Sequence, residues 1–272
     1  MTITTDFEAI KNNQRAGWET GNYTRVGNTL QIIAEQLVEA ADVRAGQRVL
    51  DVACGQGNAA MAAARRFAVA TGVDYAANLL AQGRERAVAE HLDVTFLEGD
   101  AENLPVADAS ADLTVSTVGV MFAPDHQRAA DELVRVTAPG GKIALASWTP
   151  SGMIGQLFRT VAKWAPPPAG VRPATLWGTP GHLGELFGDR VEWVSSTVRH
   201  FVFRYHSPEH FSEWFRQFYG PITRLAGTLS ATDLERFAAD LADVARQFTR
   251  ADGTVVAPSE YLEAVGVRRE TN

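Results

Sequence analysis

The hydrophobic positions of the chain follow two alternating periods between about residues 46 and 150. Short aliphatic runs, such as 48–53 and 113–117, have the length and composition of buried strands. Between these runs apolar residues recur every three or four positions, as they do in 76–91, which is typical of a helix that buries one face. Strands that alternate with helices of this length predict a parallel sheet with helices on both faces.

The predicted elements of this region follow one another regularly. Strands are expected at 48–53, 68–73, 94–97, 113–117 and 142–148, and helices at 59–67, 76–91 and 126–137. Pro139, Gly140 and Gly141 predict a sharp break before the fifth strand. The order of elements is that of an α/β nucleotide-binding fold.

The pattern changes on both sides of this region. Helices are expected at 6–17 and 24–41 before it and at 154–164, 179–187, 208–219 and 232–248 after it, with strands at 191–205 and 261–267. No shift in composition marks a linker, so we expect one domain over 1–272. Within it we expect an N-terminal helical cap at 1–45, a cofactor-binding core at 46–150, substrate-side helical elements at 151–190 and 207–250 that form a lid with the cap, and C-terminal strands at 191–206 and 258–268.

Composition and charge narrow the possible functions. The 272 residues carry a net charge of −7 without a Lys/Arg run, which argues against a nucleic-acid partner. The one cysteine, Cys54, excludes an internal disulfide and a cysteine zinc cluster, and we expect no metal. The sequence shows no signal peptide and no membrane-length apolar stretch, so we expect a cytoplasmic protein without a membrane partner. It does not distinguish a monomer from a homodimer.

The most informative stretch is 48–58, which reads RVLDVACGQGN. A buried strand ends in a turn that contains Gly55 and Gly57, and an Ala-rich helical segment follows. Many nucleotide-binding α/β units begin in this way, because glycines let the backbone approach a ligand closely. Asp51, however, places an acid just before the glycines. Its charge suits a cationic ligand better than a diphosphate.

Two further acids follow at the ends of neighbouring strands. Asp74 ends the second strand and Asp100 ends the third. Because open α/β sheets bind ligands at the carboxyl ends of their strands, we expect Asp51, Asp74 and Asp100 to form one acidic rim. Asp74 suits the two hydroxyls of a ribose, and Asp100 with the Ala101 N–H suits an adenine ring.

Four segments resemble the class I S-adenosylmethionine-dependent methyltransferases, in the branch similar to the quinone-biosynthesis and related small-molecule enzymes. The segments are 49–57, 71–74, 98–105 and 133–141, in the family's order and spacing. The resemblance covers about residues 43–148. It implies a Rossmann-like sheet of seven mostly parallel strands, with helices on both faces and an antiparallel last strand that the end of the chain supplies.

The resemblance also implies where the cofactor lies. The methionine part of S-adenosylmethionine would lie over the glycine turn, its ribose on Asp74 and its adenine on Asp100 and Ala101, with 117–121 beside the reacting methyl group. The residues expected to contact it are Trp18, Tyr23, Asp51, Ala53, Gly55, Gly57, Asn58, Asp74, Tyr75, Asp100, Ala101, Glu102, Thr117, Val118 and Met121. The product would be S-adenosylhomocysteine. The partner would be a small organic methyl acceptor, whose reacting atom stays open between oxygen, carbon and nitrogen.

Two other functions stay open from the sequence. The glycine turn and Asp74 also fit the dinucleotide fingerprint of an NAD-type oxidoreductase, against which Asp51 and Asp100 argue. A cofactor-binding protein without transfer activity is the other alternative, because no general base can be assigned. His126, Tyr23 and His206 are the candidate bases, although His126 at a helix start better fits a solvated or capping role.

The aromatic residues allow two interpretations. Trp18 and Tyr23 either cover the cofactor or pack on the sheet edge. The aromatic helix at 208–219, with Phe158, Trp164, Trp177 and Tyr219, either belongs to the core or walls an apolar acceptor pocket.

Overall fold

One sheet organises the molecule. The computed structural model describes residues 5–270, and this part of the chain contains seven strands: β1 Arg48–Val52, β2 Val69–Asp74, β3 Val94–Glu98, β4 Ala111–Thr117, β5 Thr137–Trp148, β6 Val191–Tyr205 and β7 Val255–Arg268. Their order is β3-β2-β1-β4-β5-β7-β6. Strands β1 to β5 are parallel, whereas β7 runs antiparallel between β5 and β6. The predicted Rossmann-like sheet with an antiparallel last strand is therefore confirmed.

The helices fall into three groups along the chain. Helices α1 Phe7–Trp18, α2 Tyr23–Gly27 and α3 Gln31–Ala40 precede the sheet, α4 Asn58–Ala64, α5 Ala77–Ala89 and α6 His126–Val136 connect its parallel strands, and α7 Met153–Trp164, α8 Pro180–Phe187, α9 Pro208–Phe218, α10 Gly220–Ala226 and α11 Ala231–Arg246 follow β5. Within residues 5–270, every helix is too short or too polar to cross a membrane.

The amphipathic pattern explains how these elements pack. Strand β1 is buried from Val49 to Val52, with β2 and β4 paired on its two edges. Helix α4 is short and rich in alanine, and α3 packs on it with Ile33 and Leu37 fully buried. Burial of one such side chain contributes roughly 1.5–3 kcal/mol to stability. This core fixes the carboxyl ends of the parallel strands relative to one another.

The prediction of one helix over 24–41 is wrong. The chain instead forms α2, a short 3-10 turn and α3. Side chains of the glycine turn hold this break, because Asn58 Nδ2 donates to the Gly27 carbonyl at 2.9 Å and Gln56 Nε2 donates to Asn28 Oδ1 at 2.8 Å. The partners lie about thirty residues away in sequence, so the local pattern could not predict them.

Three other features of the secondary structure differ from the prediction. The Pro139–Gly141 segment lies within β5 as a bulge, because the pairing of β5 with β4 skips 138–141. Strand β7 begins at Val255, since it pairs with β6 along its whole length. Helix α10 was not predicted, because its seven residues are too few for a clear helical period.

Candidate functional site

A large cavity opens where the carboxyl ends of β1 to β4 meet the N-terminal helices. This strand-end cavity is partly open to solvent, and residues at the ends of β1, β2 and β4 and after β3 line it. Lys11 and Trp18 of α1 and Tyr23 of α2 form its roof. Strand β1 has β2 on one side and β4 on the other, which makes this the switch point where open α/β sheets bind ligands.

The glycine turn forms one wall of the strand-end cavity. Ala53, Gly55 and Gly57 have φ angles of +53°, +55° and +83°. Gly55 lines the cavity and donates its N–H to Asp74 Oδ2 at 2.8 Å. Gly57 faces Phe96 instead, whose ring lies 2.7 Å from where a Cβ of residue 57 would stand. Gly57 therefore shapes the turn behind the lining and does not take the predicted contact position, whereas Ala53 and Asn58 line the cavity.

Asp51 is buried at the end of β1 and lines the strand-end cavity. Its Oδ2 accepts the Ala60 N–H at 2.9 Å, near the N-terminus of α4, where the helix dipole favours an anion. Burial raises the pKa of Asp51 to about 7, the Ala60 hydrogen bond opposes the rise, and the charge of Asp74 adds to it. A cation in the cavity would favour the ionised form of this carboxyl.

Asp74 lines the cavity at the end of β2, as the sequence predicts. Its Oδ1 accepts the Ala76 N–H and its Oδ2 accepts the Gly55 N–H, both at 2.8 Å. Burial raises the pKa of Asp74, while these amides oppose the rise. Each carboxylate oxygen keeps a second lone pair, so both can still accept from a ligand. The neighbouring Tyr75 also lines the cavity.

Asp100 and Ala101 line the cavity beside the loop after β3. Asp100 Oδ1 accepts the Glu102 N–H at 2.9 Å, and its Oδ2 accepts from Lys11 Nζ at 2.6 Å. Glu102 is buried behind the lining, 3.2 Å from Lys11 Nζ, and accepts the Asp125 N–H at 2.8 Å. Burial lowers the pKa of Lys11, but Asp100 and Glu102 outweigh this and raise it above its usual value. The sequence analysis did not find Lys11.

The segment after β4 forms a further wall. Thr117 and Val118 line the cavity, and Val118 has a φ of +54°, a conformation that costs a β-branched residue energy. A Cβ on Gly119 would lie 2.2 Å from the Ala53 carbonyl oxygen, so only glycine lets this segment press on the glycine turn. Met121 is fully buried and does not line the cavity, contrary to its predicted contact.

An aromatic cluster covers the strand-end cavity. The Trp18 ring meets the rings of Tyr23, Phe122 and Tyr219 edge to face, with centroids 5.4, 5.0 and 5.4 Å away. Of the two interpretations of Trp18 and Tyr23, this geometry favours a cover. Burial and the charge of Asp74 raise the pKa of Tyr23 to about 12. Its hydroxyl therefore stays protonated at neutral pH and is suited to donate a hydrogen bond, not to act as a base.

Neither histidine candidate lines the strand-end cavity. His126 is buried, with its Nδ1 2.9 Å from His182 Nε2, so its predicted solvated or capping role is wrong. Asp125 caps α6 instead, and His126 turns inward. Burial first and His182 second lower the pKa of His126 to about 4. His206 is exposed at the end of β6.

A second, smaller space adjoins the first. This apolar chamber has a volume of about 20 Å³, room for about one or two water molecules, and shares Tyr23, Val118 and Phe122 with the strand-end cavity. The rest of its lining is apolar or aromatic: Val26, Leu30, Trp148, Ile154, Phe158, Phe203, Phe215 and Tyr219. The chamber lies between α2, α7, α9 and the sheet.

The aromatic residues that were expected either in the core or in the wall of an apolar pocket divide between these two places. Phe158 and Tyr219 lie in the apolar chamber. Trp177 is fully buried elsewhere, against His126 and Phe187. Trp164 lies outside the chamber lining, where its Nε1 donates to Asp240 at 2.8 Å. Helical spacing predicts that a residue faces inward, but it does not say which neighbour that residue meets.

Two buried oxygen atoms test whether the strand-end cavity fits the cofactor that the resemblance implies. Thr117 Oγ1 and Gln56 Oε1, both of lining residues, have no hydrogen-bond partner in the part of the chain that the structure describes. A buried polar atom without a partner costs about 1–3 kcal/mol, so such atoms are rare in native proteins. A ligand with hydroxyl and amino donors would satisfy both. With three carboxylates beside them, the residues fit S-adenosylmethionine.

Comparison with known proteins agrees with this fit. A family model described as a methyltransferase domain matches residues 50–145. An uncharacterised protein of Mycobacterium tuberculosis is 38% identical over 223 residues, 81% of each chain. A demethylmenaquinone methyltransferase of Paenarthrobacter aurescens is 34% identical over 113 residues, 42% of this chain and 43% of that protein.

The fold is also shared with solved structures. A proposed methyltransferase of Bacillus halodurans superposes with a TM-score of 0.63, covering 87% of this chain and 99% of that one. The two sequences are 18% identical, so this likeness concerns the fold alone. It extends well beyond the segments that carry the sequence resemblance.

Proposed function

The chain belongs to the class I S-adenosylmethionine-dependent methyltransferases, and from this premise we propose that it transfers a methyl group from S-adenosylmethionine to a small organic acceptor. The observation that carries the proposal is the strand-end cavity. Carboxylates from three neighbouring strand ends meet there with two buried oxygen atoms that have no hydrogen-bond partner within residues 5–270. All of these groups accept hydrogen bonds, which suits a cationic ligand rich in hydroxyl and amino donors.

Each part of the cofactor has a partner in this proposal. Asp74 accepts from the ribose hydroxyls, and Asp100 with the Ala101 N–H holds the adenine. The turn at Gly55 receives the methionine part, and Asp51 stabilises the positive charge. When bound, the cofactor supplies an electrophilic methyl group.

The chain itself contributes mainly positioning. Trp18, Tyr23 and Phe122 cover the place where the strand-end cavity meets the apolar chamber, which excludes water and aligns the acceptor with the methyl group. Because both histidine candidates lie outside the strand-end cavity, we propose that alignment contributes more to the rate than a strong base does. Residues 1–45 act as the cap of a single domain. The protein acts in the cytoplasm, and its substrate is a small molecule and not a nucleic acid.

Calorimetric titration of the full chain tests this proposal. We expect S-adenosylhomocysteine to bind with one site per chain and NAD to show no binding. Binding of NAD alone would replace the methyltransferase with the oxidoreductase alternative. Binding of S-adenosylhomocysteine, with no label transferred from S-adenosylmethionine to a wide panel of small oxygen, carbon and nitrogen acceptors, would favour a cofactor-binding protein without transfer activity.

A further inference from the structure

Strand β6 ends the sheet, and its outer edge is open. It pairs with β7 along one side, and within residues 5–270 no backbone hydrogen bond joins 192–205 to any segment other than β7. All side chains from 194 to 200 are exposed. A long strand with an unpaired row of N–H and C=O groups is a template for pairing with another strand.

Two features protect this edge, but only near its ends. A bulge at Val194 interrupts the pairing near the start of β6, and the Arg204 guanidinium donates to the Val202 carbonyl at 3.1 Å near the end. Bulges and charged side chains of this kind discourage pairing between sheet edges in native proteins. The part of the edge between them, 195–201, contains no proline and no lysine.

The two ionisable side chains of 195–201 turn away from the open edge. Arg199 Nε lies 2.8 Å from Glu263 Oε1, and His200 Nε2 lies 3.7 Å from Glu260 Oε1, both on the neighbouring β7. Val198 stands just before them and is 52% exposed. The middle of the edge therefore offers backbone groups and an apolar side chain, with no charge on its open side.

The two ends of β6 carry opposite charges. Near the start, the Glu192 side chain is exposed, and its ion-pair partner within residues 5–270 is Arg269, 3.7 Å away. Beside the end of the strand lies a groove of about 260 Å³, lined by residues of β6, by Thr29 and by two side chains of α9. This edge groove has the cation of Arg204 and no carboxylate in its lining, so an acidic extended segment would complement its charge.

We propose that β6 pairs antiparallel with β6 of a second copy of the chain, which joins the two sheets into one. Pairing about Val198 sets this residue against its own counterpart and brings the Glu192 end of each strand to the Arg204 end of the other. The same contacts then form twice, as in other two-fold dimers. Parallel pairing would instead set Glu192 against Glu192, so the charges favour the antiparallel arrangement.

The β6 edge is separate from the strand-end cavity. No residue of β6 lines that cavity, so the dimer goes beyond the proposed function and does not depend on it. Variants of the edge should therefore bind S-adenosylhomocysteine as the parent chain does, and a thermal melt shows that each of them folds.

Sedimentation equilibrium of the full chain at micromolar concentrations tests the proposal. We expect a dimer whose dissociation constant rises at least about tenfold in Val198→Lys, because the two copies then set one ammonium group against the other. The matched control is Val69→Lys on β2, which changes another exposed valine and should leave the dimer intact. A monomeric parent chain, or an equal effect of the two variants, would overturn the proposal.

Cysteine cross-linking gives a second readout that adds no charge to the strand. Opposed residues of an antiparallel pair have Cβ atoms about 4.5–5.5 Å apart, close to the separation that a disulfide spans. We expect Val198→Cys to form a covalent dimer when oxidised with copper phenanthroline, whereas Val88→Cys, exposed on α5, should not. Cys54 is buried and should stay reduced in both variants. No cross-link in Val198→Cys, or an equal yield in the two variants, would rule out the pairing of β6 with its copy.

Discussion

The strand-end cavity and the apolar chamber lie side by side and share three residues, yet they are built in different ways. The acids of the cavity lie at the ends of their own strands: Asp51 is the penultimate residue of β1, Asp74 is the last residue of β2, and Asp100 lies two residues after β3. The chamber draws its lining from α2, α7, α9, β5 and β6, which are spread over almost two hundred residues of the chain. The first site is encoded locally and the second is assembled by tertiary packing.

This difference shows which part of an enzyme the sequence describes directly. A short motif can specify a polar site, because strand, turn and acid are neighbours along the chain. An apolar site has no motif, since any large hydrophobic side chain can serve in it. The sequence therefore predicts the cofactor site directly, whereas the apolar site can be recognised only in the fold.

Asp74→Asn should have the largest effect on cofactor binding, and this effect should come from the strand-end cavity alone. The amide accepts less well from ribose hydroxyls than a carboxylate does, so we expect S-adenosylhomocysteine to bind about 5- to 150-fold more weakly, a loss of about 1–3 kcal/mol. Calorimetry measures the loss, and a thermal melt confirms that the glycine turn still folds. The control is Phe158→Ala, which should leave this affinity unchanged. Unchanged affinity in Asp74→Asn would remove the ribose assignment.

The pH dependence of cofactor binding should be the next largest effect. Because burial raises the pKa of Asp51 to about 7, the carboxyl is mostly protonated below that pH and ionised above it. A bound cation favours the ionised form, so affinity should fall roughly tenfold as the pH drops one unit or more below 7. Calorimetry at several pH values measures this. In Asp51→Asn the profile should flatten, and a persisting slope would assign it to another group.

Phe122→Ala tests the boundary between the two regions. Its ring lines both spaces and meets Trp18 and Phe158 edge to face. We expect S-adenosylhomocysteine to bind roughly two- to tenfold more weakly. Unchanged affinity, measured by calorimetry, would mean that the Phe122 ring contributes to the apolar chamber alone.

Lys11→Met should have the smallest effect, confined to the strand-end cavity. Loss of the contacts with Asp100 and Glu102 frees α1 from the cavity rim, so S-adenosylhomocysteine should dissociate about two- to fivefold faster, as expected for a partly exposed ion pair. Stopped-flow tryptophan fluorescence follows the release. Asn12→Ala, an exposed neighbour on α1, is the control and should leave the rate unchanged. Slower release would show that Lys11 competes with the cofactor for Asp100.

Much of the cavity could be predicted from the sequence, because its parts follow recognisable strands. Asp51, Asp74 and Asp100 all lie where strand-end logic puts them. Gly57 and Met121 lie in the predicted segments but do not line the cavity. Gly57 packs against the Phe96 ring, and the Met121 side chain is buried in the core. Backbone position follows from local pattern, whereas side-chain direction depends on what packs nearby.

The residues that sequence reasoning missed depend on distant partners. Lys11 meets Asp100 across 89 positions, and nothing near Lys11 distinguishes it from a solvated helical lysine. His126 occupies a helix start, where a capping role is common, but Asp125 takes that role and His126 meets His182 across 56 positions. Such pairs can be known only once the topology is known.

The hydrogen bonds that break the N-terminal helix have a thermodynamic consequence. Gln56 and Asn58 of the glycine turn hold Asn28 and Gly27, and the adjoining α2 carries Tyr23 into the apolar chamber. A ligand that orders the turn therefore also orders the wall of the neighbouring site. Such heterotropic cooperativity is reciprocal, so whatever factor the cofactor adds to acceptor affinity, the acceptor returns to the cofactor.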